Sequence, residues 1–404
     1  MTPSRQFCLF LLLLSMHAQG QTKKTRTELP IGAFGTLSGP VRSFGINSRA
    51  ALNAANDEID RMGGVKLADG TIGHFRITYT DDKCNADVAL SVLKEMADSY
   101  DLAAIGPTCS AVAESLFHHL QRRAGDSSDT GIQMPIFTDG ATKADLAGLS
   151  EWAFRDTPNE RAMYQSLWRY VRKGRPELHT VYVGEEADFA HSHSTLQNII
   201  RVEAEHLGFV IQGGTKWSIN DTEFSAPAND IIASNADVVV ISAHALTTCG
   251  VLRELQRRRF RPRLIVGLTS ASTPETLKLC GTAAEGLLIP TSFVANTPET
   301  QREASLVERI GGIADLHSMA AWEILFALKQ AIEAGRVLPA EDSVARNRET
   351  IRRQLSQMKT MPGVMGMIPR TPDRESLKPF VLVQVKSGKW QVVSDSGLTE
   401  IGEE

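Results

Sequence analysis

Beyond its first twenty residues the chain has no apolar run near the roughly 18 residues of a membrane span. It has no surplus of basic charge either. The formal net charge is −4, so nucleic acid is not expected as a partner. Gly32-x-x-Gly35-x-x-x-Gly39 lacks the spacing of G-x-G-x-x-G and the Lys-Ser/Thr of a P-loop, and reads as a plain turn. There is no G-x-S-x-G elbow to seat a nucleophilic serine. The pairs His118-His119 and His191/His193 do not share a helix face at ligand spacing, so solvated surface is expected rather than a metal site. The one basic run, Arg257 to Arg263, falls at a helix C-terminus, where cations offset the dipole. No catalytic group, metal or cofactor is therefore expected, and an enzyme is the least favoured reading.

Cysteine is scarce: five residues, one of them Cys8 inside the N-terminal apolar run. Arg5 precedes that run, Phe7 to Leu14, and Ala18-Gln19-Gly20 supplies small residues where a signal peptidase cuts. Residues 1–20 thus read as a signal peptide. No cysteine directly follows the run, so no lipid anchor is expected and the mature protein should be free in the periplasm. That leaves Cys84, Cys109, Cys249 and Cys280 in an oxidising compartment, with three possible pairings.

What is present is organised around His74 to Leu120. Phe75, Ile77 and Tyr79 alternate as in a strand, and Val88, Leu90, Val92, Leu93 and Met96 recur at helical spacing. Leu102 to Ile105 is a short buried strand, stopped by Gly106-Pro107, and Ser110 stands where an N-cap should open the next helix. This is the unit of a parallel sheet. Cys84 and Cys109 each lie just past a strand's carboxyl end, and neighbouring parallel strands bring such ends together, which favours a Cys84–Cys109 bridge. Cys249 is expected to open a helix and Cys280 to close the next. That puts them roughly 12 Å or more apart by helix rise, beyond the reach of a bridge, so two free buried thiols are expected. A helix N-terminus at the carboxyl edge of an open sheet favours anions, and ligands of such sheets bind along that edge.

At 404 residues the chain is too long for one ordinary core. A first α/β series runs from a strand at Pro30–Phe34 and a helix at Phe44–Met62 to a strand at Met134–Phe137, whose loop offers Thr142 as a cap for a short helix. Trp152 to Pro158 reads as an extended crossing into a second series, with strands near Thr180–Gly184, Phe209–Gly213, Val238–Ile241, Leu264–Val266 and Gly286–Ile289. Pro290-Thr291 reads as a second crossing. Helices at Ala314–Ala334 and Arg346–Met358 follow, then a hairpin turning at Ser387-Gly388.

Thr36-Leu37-Ser38-Gly39-Pro40, Gly45, Asp81-Asp82-x-Cys84, Ile105-Gly106-Pro107-x-Cys109-Ser110 and Pro135, in that order, resemble the periplasmic Leu/Ile/Val-type solute-binding proteins of branched-chain amino acid ABC transporters. Phe154-Arg155, Ala283-Ala284-Glu285-Gly286 and the segment Pro379 to Trp390 extend the likeness over residues 28 to 394. The resemblance implies a type I "Venus flytrap" of class α/β: two doubly wound, Rossmann-like lobes joined by three hinge crossings. Lobe 1 would be residues 28–154 plus 291–362, and lobe 2 residues 155–290 plus 363–396. It implies a monomer that takes up a small carboxylate, an amino acid foremost, and hands it to a membrane ABC permease. A sensor presenting its ligand to a receptor is the competing role. By the same resemblance, Ser110 and Thr142 would hold a ligand carboxylate and the Gly140 carbonyl an ammonium. Phe189 would close over the ligand from the second lobe with His244 near it, and Leu37 and Ser43 would line the rim. One position departs from the family pattern: Thr269 stands where an acid pairs with the ammonium, leaving Asp139, Glu185, Glu186 or Asp188 as substitutes from nearby loops.

Overall fold

Strand β1 (Thr27–Gly35) is buried along nearly its whole length, as befits a strand covered on both faces. It is the axis of the first sheet in the computed structural model of the chain, which describes residues 27–338 and 343–395. The signal peptide assigned to residues 1–20 lies outside the described residues. From β1 the chain forms α1 (Arg42–Arg61), the short β2 (Val65–Lys66), β3 (Ile72–Asp81), α2 (Ala86–Asp98), β4 (Ala104–Ile105), α3 (Ser110–Phe117), β5 (Ile136–Thr138) and β6 (Ala153–Arg155). The six strands lie in the order β2-β3-β1-β4-β5-β6 and are parallel except for β2. The β4–α3 turn requires a glycine: Gly106 has φ +114°, and a Cβ there would stand 2.0 Å from the Phe34 carbonyl oxygen.

The second series comprises α4 (Glu160–Gly174), β7 (Thr180–Glu186), α5 (Ala190–Thr195), α6 (Arg201–His206), β8 (Val210–Trp217), α7 (Ser225–Ser234), β9 (Val238–Ser242), α8 (Ala245–Arg257), β10 (Leu264–Gly267), α9 (Pro274–Cys280) and β11 (Leu287–Thr291). A π-helical turn, Leu196–Ile200, joins α5 to α6, so one irregular helix replaces the regular one expected over Ser192–Leu207. The helices α10 (Pro298–Arg309), α11 (Leu316–Gly335) and α12 (Val344–Gln357) then return to the first core, where Val307, Ile324, Leu328 and Leu355 are fully or almost fully buried. After the small ladder of β12 (Thr360–Met361) and β13 (Ile368–Pro369), β14 (Val381–Lys386) and β15 (Lys389–Ser394) finish the second sheet, β15-β14-β11-β10-β9-β7-β8. The result is a two-lobed α/β molecule. Pro290 and Thr291 are not a crossing: both are laddered to β14 at the end of β11, and the chain leaves the lobe only after them.

Cys84 and Cys109 are bridged, as expected, with Cα atoms 5.8 Å apart. Cys249 and Cys280 are bridged too, Cα to Cα 4.7 Å, which overturns the expectation of two free thiols. The reason is depth along the helices. Cys249 is the fifth residue of α8 rather than its first, and α9 has only seven residues. At about 1.5 Å per residue the two sulfurs lie at similar depths below the carboxyl edge of the sheet, about 6 and 9 Å down their helices.

Candidate functional site

The carboxyl edges of the two sheets face each other across a cleft. A cavity of about 220 Å³ there takes Thr108, Ser110 and Gly140 from the first lobe and Phe189, His191 and His244 from the second. A wider cavity of about 510 Å³ shares Ser110 and His191 and adds Thr142, Lys143, Asn159 and Glu160. Five sequence-expected residues are thus brought together: Ser110, Gly140, Phe189 and His244 in the smaller space, Thr142 in the larger. Thr269 and Leu37 line neither cavity. Thr269 is wholly buried with its hydroxyl donating to Glu160, and the Leu37 amide donates to Asp81 Oδ1 at 2.8 Å. Ser43 borders a small recess beside His244.

Two capping expectations are corrected. Ser110 is the first helical residue of α3 and the cap position is Cys109, which makes no side-chain cap bond. Ser110 Oγ instead accepts from the Lys143 amide at 3.3 Å. No helix starts at Thr142; the next helical turn is Ala147–Leu149. Both hydroxyl residues still border the cleft because backbone packing puts them there. Gly140 sits so tightly on its neighbour that a Cβ would meet Thr108 Cγ2 at 2.2 Å. Arg155 holds the same loop from behind, donating to the carbonyls of Ala141 (3.3 Å) and Thr142 (3.4 Å) while pairing with Glu375. Thr108 Oγ1 donates to buried Asp139 at 3.2 Å, and burial, opposed by the Ser48 and Thr108 hydroxyls, pushes Asp139 up to about 6.

The second lobe contributes two buried carboxylate–imidazole pairs; Glu186 and His244 of the first were named among the expected residues, and Glu160 and His191 of the second were not. Glu186, at the end of β7, accepts from His244 Nδ1 (2.5 Å), the His244 amide (3.1 Å), Ser192 Oγ (2.8 Å) and the Thr247 hydroxyl. Glu160, the first residue of α4, takes His191 Nε2 at 3.0 Å, Thr195 Oγ1 at 3.0 Å and the Thr269 hydroxyl. Burial works to raise Glu160, yet the charge and hydrogen bond of His191 with the two threonine hydroxyls bring it down to about 2. Burial works against a charge on His191, but the Glu160 carboxylate outweighs it and raises the imidazole above its ordinary value. His191 is therefore not the solvated side chain expected; His193 is exposed as expected, and its Nδ1 also meets a buried acid, Glu185, at 2.8 Å. β7 and β9 are adjacent, with Glu185 opposite Ser242, so the residues just past each strand meet.

Phe44 and His317, from the N-terminal turns of α1 and α11, complete the wall. Phe44 packs against His317 (ring centroids 4.7 Å) and reaches across to His244 (5.5 Å), and Phe189 meets His244 edge-on at 4.6 Å. Burial, with the positive charges of His191 and His244 beside it, pushes His317 down to about 3. His317 thus stays neutral in the folded chain while it protonates near 6.5 when unfolded, so its contribution to stability is lost as pH falls below 6.5. Replacing it with phenylalanine should remove that penalty. Urea titrations between pH 6.5 and 5 should show the variant gaining on the wild type by up to ~1.4 kcal/mol per pH unit. A difference that stays flat with pH would contradict the neutral buried imidazole.

Among the described residues no group of histidine, cysteine and acidic side chains is arranged to hold a metal, and no helix is long and apolar enough to cross a membrane. Two α/β lobes facing each other across a cleft define the class of solute-binding flytraps. A family model for periplasmic binding proteins matches residues 28–389, and the chain belongs to that family, with the type I fold. Solved structures agree on the fold. The leucine-binding protein LivK of Thermotoga maritima is 18% identical with a TM-score of 0.74, covering 91% of this chain and 98% of its own. LivJ of Streptococcus pneumoniae, in complex with isoleucine, is 16% identical with a TM-score of 0.75, covering 91% and 99%. An ABC transporter substrate-binding protein of Desulfitobacterium hafniense, in complex with leucine, is 20% identical with a TM-score of 0.68, covering 91% and 100%.

Proposed function

We propose that this chain is the periplasmic solute-binding component of an ABC importer of the branched-chain amino acid type. It captures a small carboxylate-bearing ligand between its lobes without catalysis and delivers it to a membrane permease. The observation that supports this reading is one cavity lined by Ser110 and Gly140 from one sheet edge and by Phe189 and His244 from the other. A ligand touching both walls stabilises the closed form over the open one, and only that difference shifts the population. Isoleucine and leucine are bound in two of the solved structures named above, and amino acids are the first candidates here. For the moving bodies, we keep residues 28–154 with the returning helices as one lobe and residues 155–290 with the closing hairpin as the other. We set the last crossing near Lys378 rather than at residue 363, because Ile368 packs in the first core and the Arg370 guanidinium lies 4.8 Å from the Phe137 ring centroid.

The anion site is assigned to Ser110 and Thr142, where a helix N-terminus and two hydroxyls border the same space. Each hydrogen bond to a charged group contributes about 1.5–3 kcal/mol, so Ser110→Ala with Thr142→Ala should weaken carboxylate binding by roughly a hundredfold or more. Calorimetry measures it, with thermal unfolding as the control for folding. Undiminished affinity in the double variant would mean that the anion is held elsewhere.

A further inference from the structure

We propose that the ligand's carboxylate is shared by both lobes: Ser110 and Thr142 hold it from the first, and the His191 imidazolium donates to it from the second, so that capture weakens as pH rises. This rests on the carboxylate-capture reading above and adds a binding residue to it. His191 stands where the two cavities join. Ser110, Ala111, Ala190 and His191 border both, and Thr142 borders the wider one beside them. Of these five His191 alone has a titratable side chain, and it comes from the lobe opposite Ser110. Its Nε2 is fixed on Glu160 Oε1 at 3.0 Å, and among the described residues its Nδ1 has no hydrogen-bond partner. The ring keeps 12% of its side-chain surface open, so that second nitrogen is not sealed off. A ring nitrogen on a carboxylate carries a hydrogen, and the imidazolium has one further N–H, on Nδ1, left to give.

The charges around the ring place the anion on the Thr142 side. Lys143, Arg161 and His191 border the wider cavity against Glu114 and Glu160, one cation in excess, a balance in which His244 takes no part. Glu160 is spent on His191, Thr195 Oγ1 and the Thr269 hydroxyl, and Glu186 on four donors of its own lobe. Asp188 borders only the smaller cavity, with neutral His317 and with His244, whose ring centroid lies 6.0 Å from that of His191. The rest of the ligand then falls among the rings of Phe44 and Phe189. Burial disfavours a charge on His191, but the Glu160 carboxylate outweighs it, with help from Glu186, and raises the imidazole above its ordinary 6.5. The charge therefore dominates at pH 6 and is lost as pH rises through the raised value, while a ligand carboxylate stays ionised over the same range.

The test is calorimetry on the mature chain with the straight-chain acids from acetate to hexanoate, benzoate, leucine and isoleucine, followed by a pH profile of the tightest binder and of its primary amide. The acid should bind at least tenfold more weakly at pH 9 than at pH 6, and the uncharged amide should change less than threefold. His191→Gln keeps an N–H for Glu160 without a titratable charge. It should bind the acid as weakly at pH 6 as the wild type does at pH 9, and so separate His191 from Asp139, which also titrates near 6 and is untouched. Thermal unfolding at both pH values checks that the variant folds, and the wild-type comparison of acid with amide stands without it. A flat profile for the acid, or the same fall in wild type and variant, overturns this inference and leaves carboxylate capture standing. An amide bound as tightly as its acid, or no heat with any of the acids, overturns both readings.

Discussion

Lys378→Met should destabilise the protein by about 3–5 kcal/mol, the usual cost of removing one member of a buried ion pair. The lysine Nζ meets Asp156 Oδ2 at 3.4 Å and the Glu323 carboxylate, and none of the three side chains is more than 3% exposed. They tie together three separate parts of the chain: Asp156 directly follows β6, Lys378 precedes β14, and Glu323 lies in α11. One cation between two buried carboxylates is balanced when one acid keeps its proton, and burial raises Glu323 toward that state against the pull of Lys378. Methionine fills the same space but leaves Asp156 and Glu323 facing each other without a cation. Without Lys378 neither carboxyl has a cation beside it, so the folded variant should bind more protons than the folded wild type, protons that the unfolded chain releases above about 4. The deficit should therefore be largest near pH 8 and shrink toward pH 5. Chemical denaturation at the two pH values measures this. Adding Glu323→Gln, which keeps a side-chain oxygen for the Val364 amide now bonded to Glu323 Oε1 at 2.7 Å, should recover part of the loss. A deficit under 1 kcal/mol at pH 8 would show that water reaches the cluster. Because the cluster joins the segments after β6 and before β14 to α11, the variant should also alter the relative placing of the lobes, visible as a changed scattering profile without ligand.

The first lobe was legible because its strands and helices are separated by strong punctuation. Gly106-Pro107 ends β4, and the alternation from Phe75 to Tyr79 falls inside β3. The hairpin turn was legible for the same reason: Ser387 and Gly388 both adopt positive φ, 53° and 71°, joining β14 to β15. Helix α10 was missed because it is mostly polar; of its twelve residues only Thr300, Ala304 and Val307 are buried. At the site, Ser110 and Gly140 could be placed because they follow strands in a recognisable order. Glu160, Glu186 and His317 could not, because charged or polar side chains carry no periodic mark of burial. Their burial is decided by partners 31, 58 and more than 200 residues away in sequence: His191, His244 and Phe44. The Cys249–Cys280 distance failed in a different way: α8 begins four residues before Cys249, and about one turn of helix separates a bridge from a gap.

That bridge carries the second large expected effect. Cys84–Cys109 closes 25 residues and Cys249–Cys280 closes 31. In the loop-entropy account each lowers the entropy of the unfolded chain enough to contribute about 3.5 kcal/mol. The two lie in different lobes and share no neighbours, so replacing both pairs with alanine should cost close to the sum, about 7 kcal/mol. A loss of that size is comparable to the whole stability of many domains, and the doubly stripped chain should be largely unfolded at 37 °C. The single-pair variants should differ in function. Cys84 and Cys109 both border the smaller cavity, and Cys109 directly precedes Ser110, so that variant should bind its ligand more weakly. Cys249 and Cys280 are buried between α8 and α9 away from both cavities, so that variant should lose stability with its affinity largely kept. Peptide mapping under non-reducing conditions should yield Cys84–Cys109 and Cys249–Cys280 as the only linked peptides. Alkylation of Cys249 in the unreduced, denatured protein would show that the second-lobe pair is open and would remove half of the expected loss.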